Sequence, residues 1–417
     1  MKYHWRQGNE LELLINGEQF FPCVFDCIRR AEREILLETF IIAADQVGMQ
    51  LRDALLAAAH RGVNIEVTAD GYGTAELDPD YVAQLVEAGV RFRMFEPKRP
   101  MLGIRTNIFR RLHRKIIVAD GETALIGGIN FSAEHLRSYG DLAKQDYAVK
   151  VRGPVVQDIH RASRELLTEG GDAGQQVAME PVTAETGAAA ALLALRDNET
   201  HRTDIEEQYL QGIRNASEHI IMANAYFFPG YRILRELRNA AERGIRVDLI
   251  LQGKPDKQYT RLLGTLLYDY LLRHGIAVYE YIRHPFHGKI AIIDQEWVTV
   301  GSTNLDPLSL YMNLEANVFM RDNILNRQLH AHLVEMMRKD CQKIGCRSAM
   351  RGHWWRVPLM FLAFHFLRRF PRLAGLLPCH TPRIKSLFDY RRQRRRHSDM
   401  KGQGKSENGQ RSKVHGQ

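Results

Sequence analysis

The chain has 417 residues, 45% of them hydrophobic and 26% charged, the balance of a soluble globular protein with room for two or three domains. The net charge of +9 sits at one end: residues 351–417 hold 16 Lys and Arg against 3 Asp and Glu, which leaves the first 350 residues mildly acidic. A body of that charge speaks against a general nucleic-acid-binding surface, so no nucleic-acid partner is expected, whereas the basic end suits a polyanion.

Residues 1–19 are too polar to contain the apolar core of a signal peptide. The longest apolar stretch, 354–367, contains Arg356 and Pro358 and falls short of the ~20 residues a span requires, so the chain is not expected to cross a membrane. The five cysteines, Cys23, Cys27, Cys341, Cys346 and Cys379, have neither metal-ligand spacing nor the pattern of a disulfide framework, which points to a reducing cytoplasm. Cys23 and Cys27 share a helix face as packing residues.

Residues 31–42 read as a helix end running into a buried strand, 47–61 as a helix stopped by Gly62, and 63–69 as a strand. A helix over 80–88 stopped by Gly89 and a strand over 90–95 follow. This alternation predicts a sheet flanked by helices.

Then comes His113-Arg114-Lys115, an aliphatic run, Asp120-Gly121 and, further on, Gly127-Gly128-Ile129-Asn130. The same pattern returns as His287-Gly288-Lys289, Asp294-Gln295 and Gly301-Ser302-Thr303-Asn304, each member 174 residues later. Residues two apart on a strand share a face, so each His pairs with its Lys at the mouth of a hairpin turned at the Asp. A lone His-x-Lys means little, but two copies brought face to face supply two imidazoles and two ammonium groups. Such a set suits a phosphodiester: one His attacks phosphorus, the other protonates the leaving oxygen, and Lys115 and Lys289 hold the phosphoryl oxygens.

The surroundings of the motifs repeat as well. Residues 219–226 read as a strand, 231–243 as a helix stopped by Gly244, 245–251 as a strand, 262–274 as a helix stopped by Gly275, and 276–281 as a strand. Residues 57–63 align with 239–245. The predicted organisation is an N-terminal lobe at 1–169, a polar linker at 170–186, a C-terminal lobe at 187–350 and a tail at 351–417.

The paired motifs resemble those of the phospholipase D superfamily. The resemblance implies an α/β fold of two similar lobes, each a mixed sheet flanked by helices, with one active site at their interface. It also implies a phosphohistidine intermediate formed without metal or cofactor. The candidate catalytic set is His113, Lys115, Asp120, His287, Lys289 and Asp294, with the two Asp expected to support the hairpins rather than touch substrate. Asn130, Asn304 and Ser302 are candidate phosphate-binding residues; Gly128 stands where the second copy has Ser302, so the first half-site lacks a hydroxyl. In the family an acidic residue roughly thirty positions after each motif His orients that imidazole, which assigns Asp146 to His113 and Glu315 to His287.

Within the superfamily the chain is most similar to the bacterial cardiolipin synthases of type B, through residues 35–40, 127–132, 224–231 and the Arg-rich end. The implied activity is transfer of a phosphatidyl group from one phosphatidylglycerol to another, giving cardiolipin and glycerol. A phospholipase D-type hydrolase or a nuclease using the same four side chains is the alternative. Nothing in the sequence identifies an obligate protein partner.

Three flanking stretches bear on the substrate. Arg105, Arg110 and Arg111 either hold a second phosphate or belong to a solvated loop, and the aromatic residues of 226–231 either line a lipid channel or pack in the core. Residues 354–370 mix Trp, Phe and Leu with Arg, and 391–396 are almost all Arg. That composition suits an anionic membrane surface, placing the protein peripherally on the cytoplasmic face of a bacterial inner membrane. The other reading is a helix packed on the catalytic body followed by a disordered basic end.

Overall fold

A computed structural model describes residues 4–97, 110–169, 185–254, 267–345 and 384–387, together with residues 362, 365, 366, 369 and 370. Arg105, most of the 170–186 linker, the first part of the 262–274 helix, Cys346, Cys379 and the 391–396 arginines lie outside them.

The N-terminal lobe runs β1 (Arg6–Ile15), α1 (Asn16–Arg30), β2 (Glu34–Thr39), α2 (Gln46–His60), β3 (Asn64–Asp70), α3 (Pro79–Glu87), β4 (Arg91–Phe95), β5 (Ile116–Ala119), β6 (Thr123–Gly127), β7 (Tyr147–Arg152) and α4 (Val155–Glu169). The C-terminal lobe repeats the order with β8 (Ala189–Arg196), α5 (Asp204–Asn215), β9 (His219–Asn224), α6 (Tyr231–Glu242), β10 (Arg246–Gln252), α7 (Tyr268–Arg273) and β11 (Ala277–Tyr281). It ends with β12 (Lys289–Ile293), β13 (Trp297–Gly301), α8 (Pro307–Tyr311), β14 (Glu315–Arg321), α9 (Asn323–Lys339) and the short strand β15 (Cys341–Lys343). Gly62, Gly89, Gly244 and Gly275 all take φ near +90°, from +77° to +95°, the left-handed geometry that lets a chain leave a helix without a Cβ penalty.

The described strands form one sheet in the order β15-β11-β10-β9-β12-β13-β14-β8-β1-β7-β6-β5-β2-β3-β4-β16, where β16 is Ile384–Ser386. The order is a palindrome of equivalent strands about the β8–β1 seam, so the duplication is a two-fold relation in space. β1 pairs β8 and β7 antiparallel and joins the two lobes. Its alternating charges conceal a central strand: Leu13 and Leu14 are buried while Glu10 is exposed.

Three large apolar clusters hold the sheet. One packs α1, α2 and α3 on the N-terminal half, and a second packs α5, α6 and α7 on the C-terminal half. The third lies between the lobes, where α4 and α9 bring Ile159, Leu325, Leu329 and Leu333 against strands of both halves. At about 1.5–3 kcal/mol for each fully buried aliphatic side chain, this shared core is what fixes one lobe against the other.

The tail returns to the body. Ile384–Ser386 extends the sheet on β4 of the N-terminal lobe, and the Phe370 ring lies 5.9 Å from Tyr311 of the C-terminal lobe. Leu362 and Phe366 remain 63% and 47% exposed. No helix among the described residues is long and apolar enough to cross a membrane.

Candidate active site

Both motif hairpins form, β5–β6 and β12–β13. Asp120 and Asp294 sit at their turns with φ of 54° and 52°, which the short side chain tolerates by bonding locally. Asp120 accepts the backbone N–H groups of Glu32 (2.9 Å), Arg33 (2.8 Å) and Glu34 (2.8 Å). Asp294 accepts those of Ser217 (2.9 Å), Glu218 (2.8 Å) and His219 (3.1 Å). Both carboxylates are thus fully engaged at the far ends of the hairpins from His and Lys. The motif Asp residues belong to the framework, not to the reacting set.

The motif histidines precede their strands instead of standing on them. His113 and its neighbours bridge to the other lobe: its N–H donates to Leu314 O (2.9 Å), and Leu314 N–H donates to Arg111 O (2.8 Å). The mirror contact has His287 N–H donating to Gln145 O (2.8 Å) and Gln145 N–H to Pro285 O (3.0 Å). Each His is therefore stitched to the backbone just before the opposite lobe's acidic residue.

That stitching overturns the expected pairing. His113 Nδ1 meets Glu315 Oε2 at 2.9 Å, and His287 Nδ1 meets Asp146 Oδ2 at 2.6 Å. The sequence offset places each acid in the same lobe as the His that precedes it, whereas the two-fold relation exchanges them. Both acids are fully buried and both imidazoles nearly so.

Lys115 Nζ donates to His113 O at 2.7 Å, and Lys289 Nζ donates to His287 O. Each lysine is thus folded back beside its own His. Burial pulls Lys115 down to about 7, against the raising pull of Glu315. Burial also lowers both imidazoles, with the motif lysines adding to the effect, most strongly at His287. Glu315 is pushed up by burial but brought below its usual range by His113, Lys115 and Ser302 together, while burial leaves Asp146 raised. Two lysines and two imidazoles thus converge opposite two buried carboxylates, a set of donors that can receive the oxygens of an anion.

Ser302 faces away from the role expected of it: its hydroxyl donates to Glu315 Oε2 and accepts the N–H of Ala316, so it braces the acid. Gly128 is the counterpart beside Asp146, where a Cβ would overlap Oδ1 and lie 3.0 Å from Cγ. Asn130 Oδ1 accepts Ile41 N–H at 3.2 Å, while Asn304 Oδ1 is buried without a partner among the described residues.

Three contacts were outside the sequence reading. The Phe40 ring lies 5.1 Å from that of His113 and 5.3 Å from Lys115 Nζ, and the Arg111 guanidinium stacks 3.8 Å from the Tyr72 ring. Phe227 and Phe228 are core residues rather than channel walls. His135 is buried with its ring 5.7 Å from that of His287. A lone His five positions after a motif Asn gave no signal of this.

One group of possible metal ligands occurs among the described residues: atoms of His135, Asp146 and His287 within 4.8 Å of one another. Two of these are already joined by the hydrogen bond above, and Lys289, Lys115 and Lys144 impose a positive field on His287 that opposes a cation.

A two-fold pair of α/β lobes sharing two His–carboxylate pairs defines the phospholipase D-like class. The model of the family described as "Cardiolipin synthase, PLD-like domain" matches residues 24–162 and 209–337, once for each lobe. The chain belongs to this cardiolipin synthase family of phospholipase D-like enzymes. It is 51% identical to cardiolipin synthase B of Escherichia coli K12 over 388 residues, 92% of this chain and 94% of that protein. It is 29% identical to the probable cardiolipin synthase YwiE of Bacillus subtilis over 79% of this chain and 66% of that protein. Among solved structures, phosphatidylserine synthase of Haemophilus influenzae matches with a TM-score of 0.60 at 14% identity, covering 88% of this chain and 95% of that one, which shows the shared fold.

Proposed function

We propose that the protein joins two phosphatidylglycerol molecules into cardiolipin, releasing glycerol, at the cytoplasmic face of the inner membrane. The carrying observation is the pair of interfacial imidazoles, each held at Nδ1 by a buried carboxylate. With Nδ1 engaged, Nε2 is the nitrogen left for phosphorus.

His113 attacks the phosphorus of one phosphatidylglycerol as the bond to its terminal glycerol breaks, and His287 gives that oxygen a proton. His287 then takes the proton from a hydroxyl of the second lipid, which attacks the phosphohistidine and frees His113. Lys115, Lys289, Asn130 and Asn304 hold the phosphoryl oxygens. Both imidazoles are depressed in the free enzyme, so His113 starts as a neutral nucleophile. The incoming phosphodiester offsets the lysine charge and raises His287 toward the protonated form it needs as an acid. The exposed Leu362 and Phe366, followed by the Arg-rich end, support docking of a peripheral protein on an anionic leaflet.

The test is to incubate the purified protein with vesicles of phosphatidylglycerol, or of phosphatidylglycerol mixed with phosphatidylethanolamine, and identify the products by mass spectrometry. Cardiolipin plus glycerol from the first vesicle is the expected result. Phosphatidic acid alone would make water the acceptor, and cardiolipin formed only from the mixture would make phosphatidylethanolamine the donor.

A further inference from the structure

The two half-sites treat their carboxylates differently. Glu315 is braced by the Ser302 hydroxyl, but Gly128 offers Asp146 nothing and leaves no room for a Cβ. Asp146 Oδ1 accepts its neighbour's N–H, from Tyr147 at 2.9 Å, while Oδ2 holds His287. A further donor close by is His135 Nδ1, 3.7 Å from Oδ2.

The tautomer of His135 follows from its other nitrogen. Nε2 accepts the backbone N–H of Asn130 at 3.2 Å, which assigns the proton of the neutral ring to Nδ1, the nitrogen on the side of the carboxylate. His135 is 1% exposed, and Nδ1 has no hydrogen-bond partner among the described residues, a costly state for a buried donor. Burial holds the ring neutral, so it supplies a dipole and not a charge. In the second lobe the position at the same motif offset is Ser309, so the device belongs to one half-site alone.

We propose that His135 is a positioning residue: its Nδ1–H serves Asp146 as the Ser302 hydroxyl serves Glu315, and thereby sets the orientation and basicity of His287. The separation is about 0.7 Å beyond an ordinary N–H···O bond, and such contacts commonly tighten when substrate is bound. His135 also anchors Asn130 through Nε2, so one ring ties the phosphate-binding amide to the acid–base pair.

The other charges facing the pair are Lys289 and Lys115, which act on both members, with Lys144 and His113 acting on His287. None of these changes when His135 is replaced. Removing the donor destabilises the Asp146 carboxylate, so the pair takes up its second proton more readily and the acid limb of the rate profile moves to higher pH.

The experiment compares His135→Ala, His135→Asn and His135→Gln for phosphatidyl transfer on phosphatidylglycerol vesicles across pH, with thermal melting as a check on folding. Asn returns a donor near the Nδ1 position, while Gln reaches only the Nε2 position that serves Asn130. His135→Ala is expected to lower kcat about 10- to 100-fold, the scale seen when the group that orients a metal-bound His is lost, and to raise KM by releasing Asn130. Its acid limb should move up, and His135→Asn should recover the limb and kcat, with KM still raised because Asn130 stays unanchored. Recovery by Gln and not by Asn, or an equal loss in all three with the acid limb unmoved, would reduce His135 to packing.

The inference rests on the assigned role of His287. If the wild-type protein forms no cardiolipin, that role is carried to a generic aryl phosphodiester, bis(4-nitrophenyl) phosphate, and the same three variants are read there. Separately, 15N-histidine NMR follows the titration of His287 without turnover; an identical titration in wild type and His135→Ala overturns the proposal whatever the substrate.

Discussion

Glu315 hydrogen-bonds His113, a residue of the other lobe 202 positions away, and not His287, the motif His that shares its own lobe. A defect at either acid should therefore appear at the opposite lobe's His. With His113 as the nucleophile, Glu315→Gln should block formation of the phosphatidyl-enzyme. Asp146→Asn disturbs the acid–base His287 and should slow both formation of the adduct and its turnover, leaving some adduct detectable, each variant costing on the order of 10³–10⁴ in kcat, as loss of a His-orienting carboxylate does elsewhere. Rapid quench with detection of the acid-labile adduct checks this, and the reverse pattern would make His287 the nucleophile.

Replacing either imidazole should abolish turnover without unfolding the chain. His113→Ala and His287→Ala remove side chains at the mouth of the interface, while the backbone bonds from His113 to Leu314 and from His287 to Gln145 stay. Circular dichroism and melting should match the wild type as cardiolipin synthesis is lost. Near-normal activity in either variant would sink the mechanism.

Lys115 titrates where few lysines do. Its folded value of about 7 lies below its ordinary 10.5, so between those values the unfolded chain binds the proton that the folded one has released. The buried charge thus costs stability at pH 7 and below, and the cost is relieved as pH rises from about 7 toward 10. Lys115→Met should melt higher than wild type at pH 6–7, with the gain shrinking above that range. It should also lose about 10²-fold or more in kcat, the usual cost of removing one donor to a developing anion. A lower melting temperature at pH 6 would contradict the sign.

Asp120→Ala and Asp294→Ala should act on stability. Each carboxylate accepts three charge-assisted backbone N–H bonds that fix a strand entry, two exposed and one part-buried. A loss of about 2–4 kcal/mol is expected. Activity per folded molecule should stay near wild type, measured below the lowered melting transition.

Gly128→Ser would make the first motif match the second and yet should impair the enzyme. The added Cβ displaces Asp146 from His287, so the transfer rate should fall at least tenfold, while Ser302→Gly should produce a smaller loss by freeing Glu315. Comparing initial rates of the two variants at equal folded fraction decides it.

Much of this was legible in the sequence because its signals are local. The repeated His-x-Lys, the Asp at each hairpin turn and the glycines at φ near +90° depend on residues a few positions apart, and they located the lobes and the reacting side chains. β1 escaped because a strand covered on both edges within a sheet tolerates polar residues at its exposed positions, so its alternation reads as surface. The acid–His pairing is decided across the lobe interface, whereas the bracing of Glu315 by Ser302 and the approach of His135 to Asp146 are decided within one lobe, by how its strands and turns pack. Sequence distance carries no information about which of two related lobes an acid will face. The apolar core shared by α4 and α9 sets the two-fold packing, and that packing exchanges the partners.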